Sequence, residues 1–324
     1  MSLNNTNLNL SIKSIEDLMR CINLASLLEL SGWPKPGNVH RTKNYENTKF
    51  EHFLAGIAAI QPNFREFCER ISQLSFKNNN EFREIKLGLF FKKAAKEMMR
   101  WQSGGNVLLG HILILSPLVA AATICLKKRK TDFNNFKFYL SRVINKTTVD
   151  DTVNLYKAIR LCNPGGLGKV EKYDINDDKA LENIRSDNIK LKKIFELSKD
   201  YDLISREYST NFRIILSEGF PYFLEVYNTY KDPNIAIVNT FLKILSIHPD
   251  TLIIRKSGLD SALYVSKLAS KILDFGGISS QEGFNLSNQL DIELHEKRGK
   301  MNPGTTADLI SGVILCALLF GLRI

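Results

Sequence analysis

The chain lacks any closely spaced pair of cysteines. Its five, Cys21, Cys68, Cys125, Cys162 and Cys316, are odd in number and stand mostly in apolar surroundings. That spacing excludes a disulfide framework and a cysteine zinc site, and suits reduced, buried thiols in a cytoplasmic protein. No HExxH spacing occurs among the histidines, so a zinc enzyme has no support, and His52 and His295 read as surface residues. GxSxG is missing, and so is the phosphate-loop pattern GxxxxGK[ST]. No charged segment followed by an apolar one opens the chain, so no secretory signal is expected. Long alternating strand patterns and short-period repeats are missing as well.

What is present is helical patterning. Residues 15–30, 50–60, 64–74, 85–101, 133–143, 149–161, 190–217, 222–230, 234–245, 261–275, 287–296 and 307–322 carry apolar side chains at helical spacing. Ser14 is placed to cap the first of these. Polar loops rich in Gly, Pro, Asn and Thr separate them, and none is long enough to divide the chain. The expected architecture is all-α, one multi-helical domain over residues 1–324, with apolar core helices and a cleft lined by the Gly/Pro loops. Residues 1–14 are expected to be flexible. Segments 104–126 and 307–322 are apolar enough to raise a membrane span; Pro117, His111 and Asp308 favour buried core helices instead.

Lys and Arg number 44 against 34 Asp and Glu, a formal charge of +10. An acidic partner fits that excess, as do lysines spread over solvated helices. No zinc-finger spacing or RNA-binding aromatic motif accompanies the basic runs, so nucleic acid is not the expected partner.

The stretch Trp33-Pro34-Lys35-Pro36-Gly37-Asn38-Val39-His40-Arg41 interrupts the helical pattern abruptly. Two prolines fix φ and remove donors, and Gly37 allows a turn. Such a loop holds Lys35, His40 and Arg41 in fixed directions, as an anion site requires. Residues 102–106, 163–168 and 302–306 are further Gly-rich loops, and two of them feed apolar helices, where free N–H groups bind anions. Thr305 and Thr306 either add donors or cap the last helix. Glu29 lies near a helix end, where a carboxylate opposes the dipole. Asp308 and the pair Asp150-Asp151 either complement helix dipoles or serve chemistry. A polyphosphate substrate normally brings Mg²⁺, held by one or two carboxylates and phosphate oxygens.

Taken in order, WPKPGNVHR, SGGNVLLGHILILSPL, AIRLCNPGGLG, SREYSTNF, HPDTLIIRKSG and MNPGTTADL resemble the triphosphoribosyl-dephospho-coenzyme A synthase family from about residue 18 to residue 320. The resemblance implies an all-helical enzyme that uses ATP and 3′-dephospho-coenzyme A. It would transfer the 5-triphosphoribosyl group to the 2′-hydroxyl and release adenine. By matching motif positions, Lys35, Pro36, Gly37, Arg41, Asn106, Gly110, Asp250, Thr251, Pro303, Gly304 and Asp308 carry over, and nucleotide contacts are expected at Lys35, Gly37, Asn38, His40, Arg41, Asn106, Gly165, Gly166, Asp250, Thr251, Arg255, Lys256, Asn302, Gly304 and Thr305. Glu29, Asp151 and Asp308 are the candidates for metal or base work, with Mg²⁺ as the implied ion. Family members commonly carry Asp at the place of His40 and an Asn-Thr pair at Asn106-Val107, with a further polar residue at Leu108. Those departures leave open another alcohol acceptor or water. A nucleotide-binding protein without catalysis is the reading from a different class. A homo-oligomer is compatible with all of these.

Overall fold

A computed structural model describes residues 8–324, and among them there are fifteen α-helices and no strand. In chain order the first five are α1 (Ile15–Ser31), α2 (Phe50–Gln73), α3 (Leu87–Trp101), α4 (Leu109–Lys128) and α5 (Phe133–Asn145). Then come α6 (Val149–Cys162), α7 (Ala180–Ser186), α8 (Leu191–Ser198), α9 (Leu203–Thr210) and α10 (Phe220–Tyr230). The last are α11 (Pro233–Ile247), α12 (Thr251–Ser257), α13 (Leu259–Asp274), α14 (Gln281–Glu296) and α15 (Gly304–Leu319). The all-α expectation holds.

The centre is α4 against α15. Both are apolar on every face, the pattern of helices with no side turned to water. Helices α1 and α11 cover α15, while α2, α3 and α5 cover α4. Helix α4 is long and apolar enough to cross a membrane, but 89% of its span is buried inside the protein. All five cysteines are free and buried.

Three expectations are corrected. Segments 50–60 and 64–74 form the single helix α2, with Pro62 inside it. Phe64 and Phe67 lie 4.7 and 4.4 Å from the Phe90 ring of α3, and this aromatic packing outweighs one lost backbone donor. Segment 190–217 is instead α8, α9 and a π-helical turn, Ile214–Gly219. Asn211 and Phe212 break it with φ of 54° and 63°. The buried Glu207 carboxylate carries the chain across that break, accepting from Ile214 N at 2.8 Å and Ile215 N at 3.0 Å. The start of the chain is the third. Residues 1–7 lie outside the described part, but the residues after them are tied down. Leu10 N donates to Thr131 O and Ser11 N to Leu319 O, each at 2.8 Å, and Leu10 and Ile12 are buried.

Candidate active site

Helix α1 begins as its sequence directs, with Ser14 Oγ accepting from Asp17 N. Its end is unusual. Glu29 sits in the last turn, buried, where the helix dipole disfavours a carboxylate. The chain answers six residues later. Lys35, also buried, places Nζ on the Glu29 carboxylate and 2.6 Å from the Glu29 carbonyl oxygen. One cation thus pairs the acid and joins Gly32 N, at 3.3 Å, in donating to a carbonyl of the helix end. The Pro-rich loop has this as its job, and it is clamped on both sides to do it. Trp33 N donates to Asn234 Oδ1 at 2.9 Å, Ser287 Oγ to the Pro34 carbonyl at 3.2 Å, and Gly37 N to Asp291 Oδ1 at 2.9 Å.

From Glu29 the array continues onto the two central helices. His111, in the first turn of α4, has Nε2 3.2 Å from Glu29 Oε2, a charge contact without the alignment of a hydrogen bond. Its Nδ1 lies 2.9 Å from Oδ1 of Asp308, near the N-terminal end of α15. Burial opposes a charged imidazole, but the Asp308 and Glu29 carboxylates outweigh it, and His111 is raised to about 9. Glu29 is held below its ordinary value, since the Lys35 charge and His111 overcome its burial. Burial pushes Asp308 up, against the pull of His111. The result is a row, Lys35, Glu29, His111, Asp308, in which opposite charges alternate. Helices α4 and α15 meet so closely here that a Cβ on Gly110 would stand 1.8 Å from Asp308 Oδ2.

This row opens into a cleft of about 1450 Å³, larger than the ~300–1,000 Å³ usual for one small ligand. Asp308, with 19% of its side chain exposed, is the member that faces it. Lys43, Lys169, Lys172, Arg255, Lys256 and Arg298 lie along its walls. Of the expected contacts, Glu29, Lys35, Asn38, Asn106, Gly165, Gly166, Arg255, Lys256, Asn302, Gly304, Thr305 and Asp308 all border the cleft. Asn106 also caps α4 through Oδ1 on Leu109 N, and Asn38 Nδ2 donates to Asn302 Oδ1 at 2.6 Å.

Six expected residues do not border it. Gly37 has φ of 74° and packs under the loop, where a Cβ would meet Leu294 at 2.9 Å. His40 is buried beneath the loop against Asp291, at 3.2 Å from Oδ2. Burial keeps it below the usual histidine value against the pull of Asp291. Arg41 is exposed and reaches Asn234 at 3.2 Å on the outside. Asp250 is fully buried: it caps α12 and accepts from Thr306 N at 2.6 Å and Thr306 Oγ1 at 2.8 Å. It locks α12 to the start of α15 and takes up donors that an anion there would need. Thr251 Oγ1 joins the same joint, donating to Thr305 Oγ1 at 3.3 Å. Asp151 caps α6 through Thr148 and accepts from Gly88 N at 2.8 Å, beside a separate small pocket.

Asp151 therefore stands apart from Glu29 and Asp308, and Glu29 is already taken by Lys35 and His111. Among the described residues, no three His, Cys, Asp or Glu side chains are grouped to hold a metal ion. Of the three carboxylates considered for metal or base work, Glu29 and Asp308 border the cleft and Asp151 does not.

Sequence reasoning missed His111, Asp291 and His295. A histidine inside an apolar run was the available signal for His111. His295 was read as a surface residue and Asp291 was not singled out within segment 287–296; His295 is in fact largely buried against Asp291 and lines the cleft.

The profile of the CitG family, described as ATP:dephospho-CoA triphosphoribosyl transferase, matches residues 15–323. A Salmonella gallinarum protein named "probable 2-(5''-triphosphoribosyl)-3'-dephosphocoenzyme-A synthase" is 30% identical over 105 residues, 32% of this chain and 34% of that protein. A Salmonella typhi protein of the same name, numbered 1, matches to the same extent. The matched part is thus about a third of these curated relatives. A crystal structure of a candidate triphosphoribosyl-dephospho-CoA synthase from Archaeoglobus fulgidus covers 83% of this chain and 100% of its own. Its TM-score is 0.62 at 26% identity.

Proposed function

The chain belongs to the ATP:dephospho-CoA triphosphoribosyl transferase family, and from that premise we propose that it moves the 5-triphosphoribosyl group of ATP onto the 2′-hydroxyl of 3′-dephospho-coenzyme A. The bond from ribose C1′ to adenine breaks, and a bond from C1′ to the acceptor oxygen forms. The observation that carries the reading is the row of alternating charges ending in Asp308 at the mouth of a basic cleft.

Each part has a task in this reaction. The transition state at C1′ has oxocarbenium character, and a carboxylate beside it lowers its energy. Asp308 is that carboxylate. His111 holds its Oδ1 with a proton that two acids keep in place, which fixes the direction of Oδ2. Glu29 and Lys35 hold His111 from behind. Lys256, Arg298 and the neighbouring lysines balance the phosphates of both substrates, and a cleft of this volume has room for two. Mg²⁺ enters the proposal as a counter-ion carried in on the triphosphate, with Asp308 the one carboxylate of the expected three open to meet it. Five free thiols suit a reducing compartment such as the cytoplasm.

The test is adenine release from ATP and Mg²⁺, with and without dephospho-coenzyme A, together with the mass of the acceptor. Transfer adds the triphosphoribosyl mass to the acceptor; release without that shift points to another acceptor or water. Asp308→Asn is expected to lower kcat about 10²-fold or more. No adenine under any of these conditions would overturn the enzymatic reading.

A further inference from the structure

The transfer just described needs a group to take the proton of the attacking hydroxyl. Asp308 points one oxygen at His111 and is assigned to the developing cation. A second titratable group borders the same cleft and has no place in the mechanism so far.

His295 lies near the end of α14. Its Nδ1 is 2.9 Å from the carbonyl oxygen of Asp291 and 3.1 Å from Asp291 Oδ1. Two acceptors at one ring nitrogen require the proton to be there. In the neutral ring Nε2 is then a lone pair. That nitrogen is screened from bulk water and has no partner in the protein. Buried polar groups are nearly always paired, so an orphan beside a cleft calls for a ligand group.

The support behind the ring is complete. Asp291 Oδ1 also accepts from Gly37 N at 2.9 Å, and Oδ2 faces His40 Nε2 at 3.2 Å. His40 Nδ1 in turn faces the Thr42 hydroxyl at 3.2 Å. Tyr45 stacks on the His295 ring at 4.8 Å and 21°, and its own hydroxyl is fixed on the Gly37 carbonyl at 2.6 Å. The ring is thus held in its plane, its tautomer set by an acid, with one nitrogen left for chemistry. A carboxylate behind a histidine does the same in hydrolytic triads. Arg298 borders the cleft three residues further on, and Lys256, which borders it too, reaches the Gly299 carbonyl at 3.1 Å, so His295 shares the cleft with cationic side chains.

We propose that His295 is the proton acceptor for the attacking hydroxyl, with Nε2 as the receiving atom and Asp291 as the residue that positions the ring. The inference rests on the transferase reading. The acceptor O–H breaks as its oxygen bonds to C1′, and the proton passes to Nε2. The C1′–N bond breaks with its electron pair going to adenine, which takes a proton from water, and His295 returns its proton to water.

The experiment compares wild type, His295→Gln and His295→Ala over about pH 5.5 to 9, following transfer to dephospho-coenzyme A. Groups facing the ring are Asp291, His40 and Tyr45, with Arg298 on the same wall; only the His295 variants should abolish a low-pH limb of kcat/KM. Transfer by His295→Gln is expected to fall about 10²-fold or more, with the limb flattened and circular dichroism unchanged. Added imidazole is expected to restore part of the rate of His295→Ala. A variant within threefold of wild type overturns the inference, as does a loss with neither a flattened limb nor rescue. Should the variants not fold, nitrogen NMR of the wild-type imidazoles decides: an Nε2–H tautomer at His295 overturns it, while an Nε2 lone pair that shifts on adding dephospho-coenzyme A supports it. A wild type that releases no adenine overturns the transferase reading as well; a transferring wild type with an unaffected variant overturns this inference alone.

Discussion

Lys35 shows how much a single side chain is asked to do. It neutralises Glu29, caps α1 and anchors the Pro-rich loop, all while fully buried. Removing one member of a buried pair leaves the other charge without compensation. Lys35→Ala is therefore expected to cost about 3–5 kcal/mol of stability, read from the urea midpoint, rather than to act as a simple loss of substrate contact. His111 gives a pH signature. Its value is raised from 6.5 to about 9 in the folded protein, so its contribution is fully present below about 6.5 and is lost as pH rises through about 9. The thermal midpoint of His111→Gln should therefore approach that of wild type as pH rises across this window. A constant gap between the two would contradict the charge assigned to the ring.

Helix ends decide the site. Helix α1 contributes its C-terminal turn, and α4 and α15 contribute residues near their N-terminal ends, so Glu29, His111 and Asp308 converge although they are distant in sequence. The approach of α4 to α15 depends on Gly110. A Cβ there would collide with Asp308 Oδ2 at 1.8 Å, and Asp308, being partly exposed, has room to be pushed away. Gly110→Ala is expected to lower transfer at least tenfold while the helical circular dichroism persists; wild-type kcat in that variant would show that the carboxylate's position is not important. The helices themselves were legible from periodicity, and so were most of the loops that border the cleft. Pro62 misled the reading of α2 because packing against Phe90 is not visible in a local window. Asp151 and Asp308 were both legible as acids at helix starts, but which of them would also face a ligand depended on where neighbouring helices fall.

At the scale of the whole molecule, part of the excess of positive charge lines the cleft, where six lysines and arginines border one cavity beside the row of alternating charges. Binding of a polyanion to the folded state alone stabilises it by mass action. ATP at a hundred times its dissociation constant should add about 2.7 kcal/mol, seen as a rise in thermal midpoint that shrinks with added salt as screening grows. No shift with ATP at low salt would contradict the cleft as the nucleotide site.

The sequence by itself determined the helical class, because apolar spacing of 3.6 residues and capping residues are local properties. It also determined the family, through an ordered set of loop motifs. The loop residues that border the cleft followed from those motifs. The tertiary structure alone decided which charged groups touch. Burial turned Lys35 from a surface contact into the partner of Glu29. The packing of the helices kept His40, Arg41 and Asp151 away from the cleft and brought His111 and His295 to it. Charge in a protein takes its meaning from its neighbours and its distance from water, and neither is written along the chain.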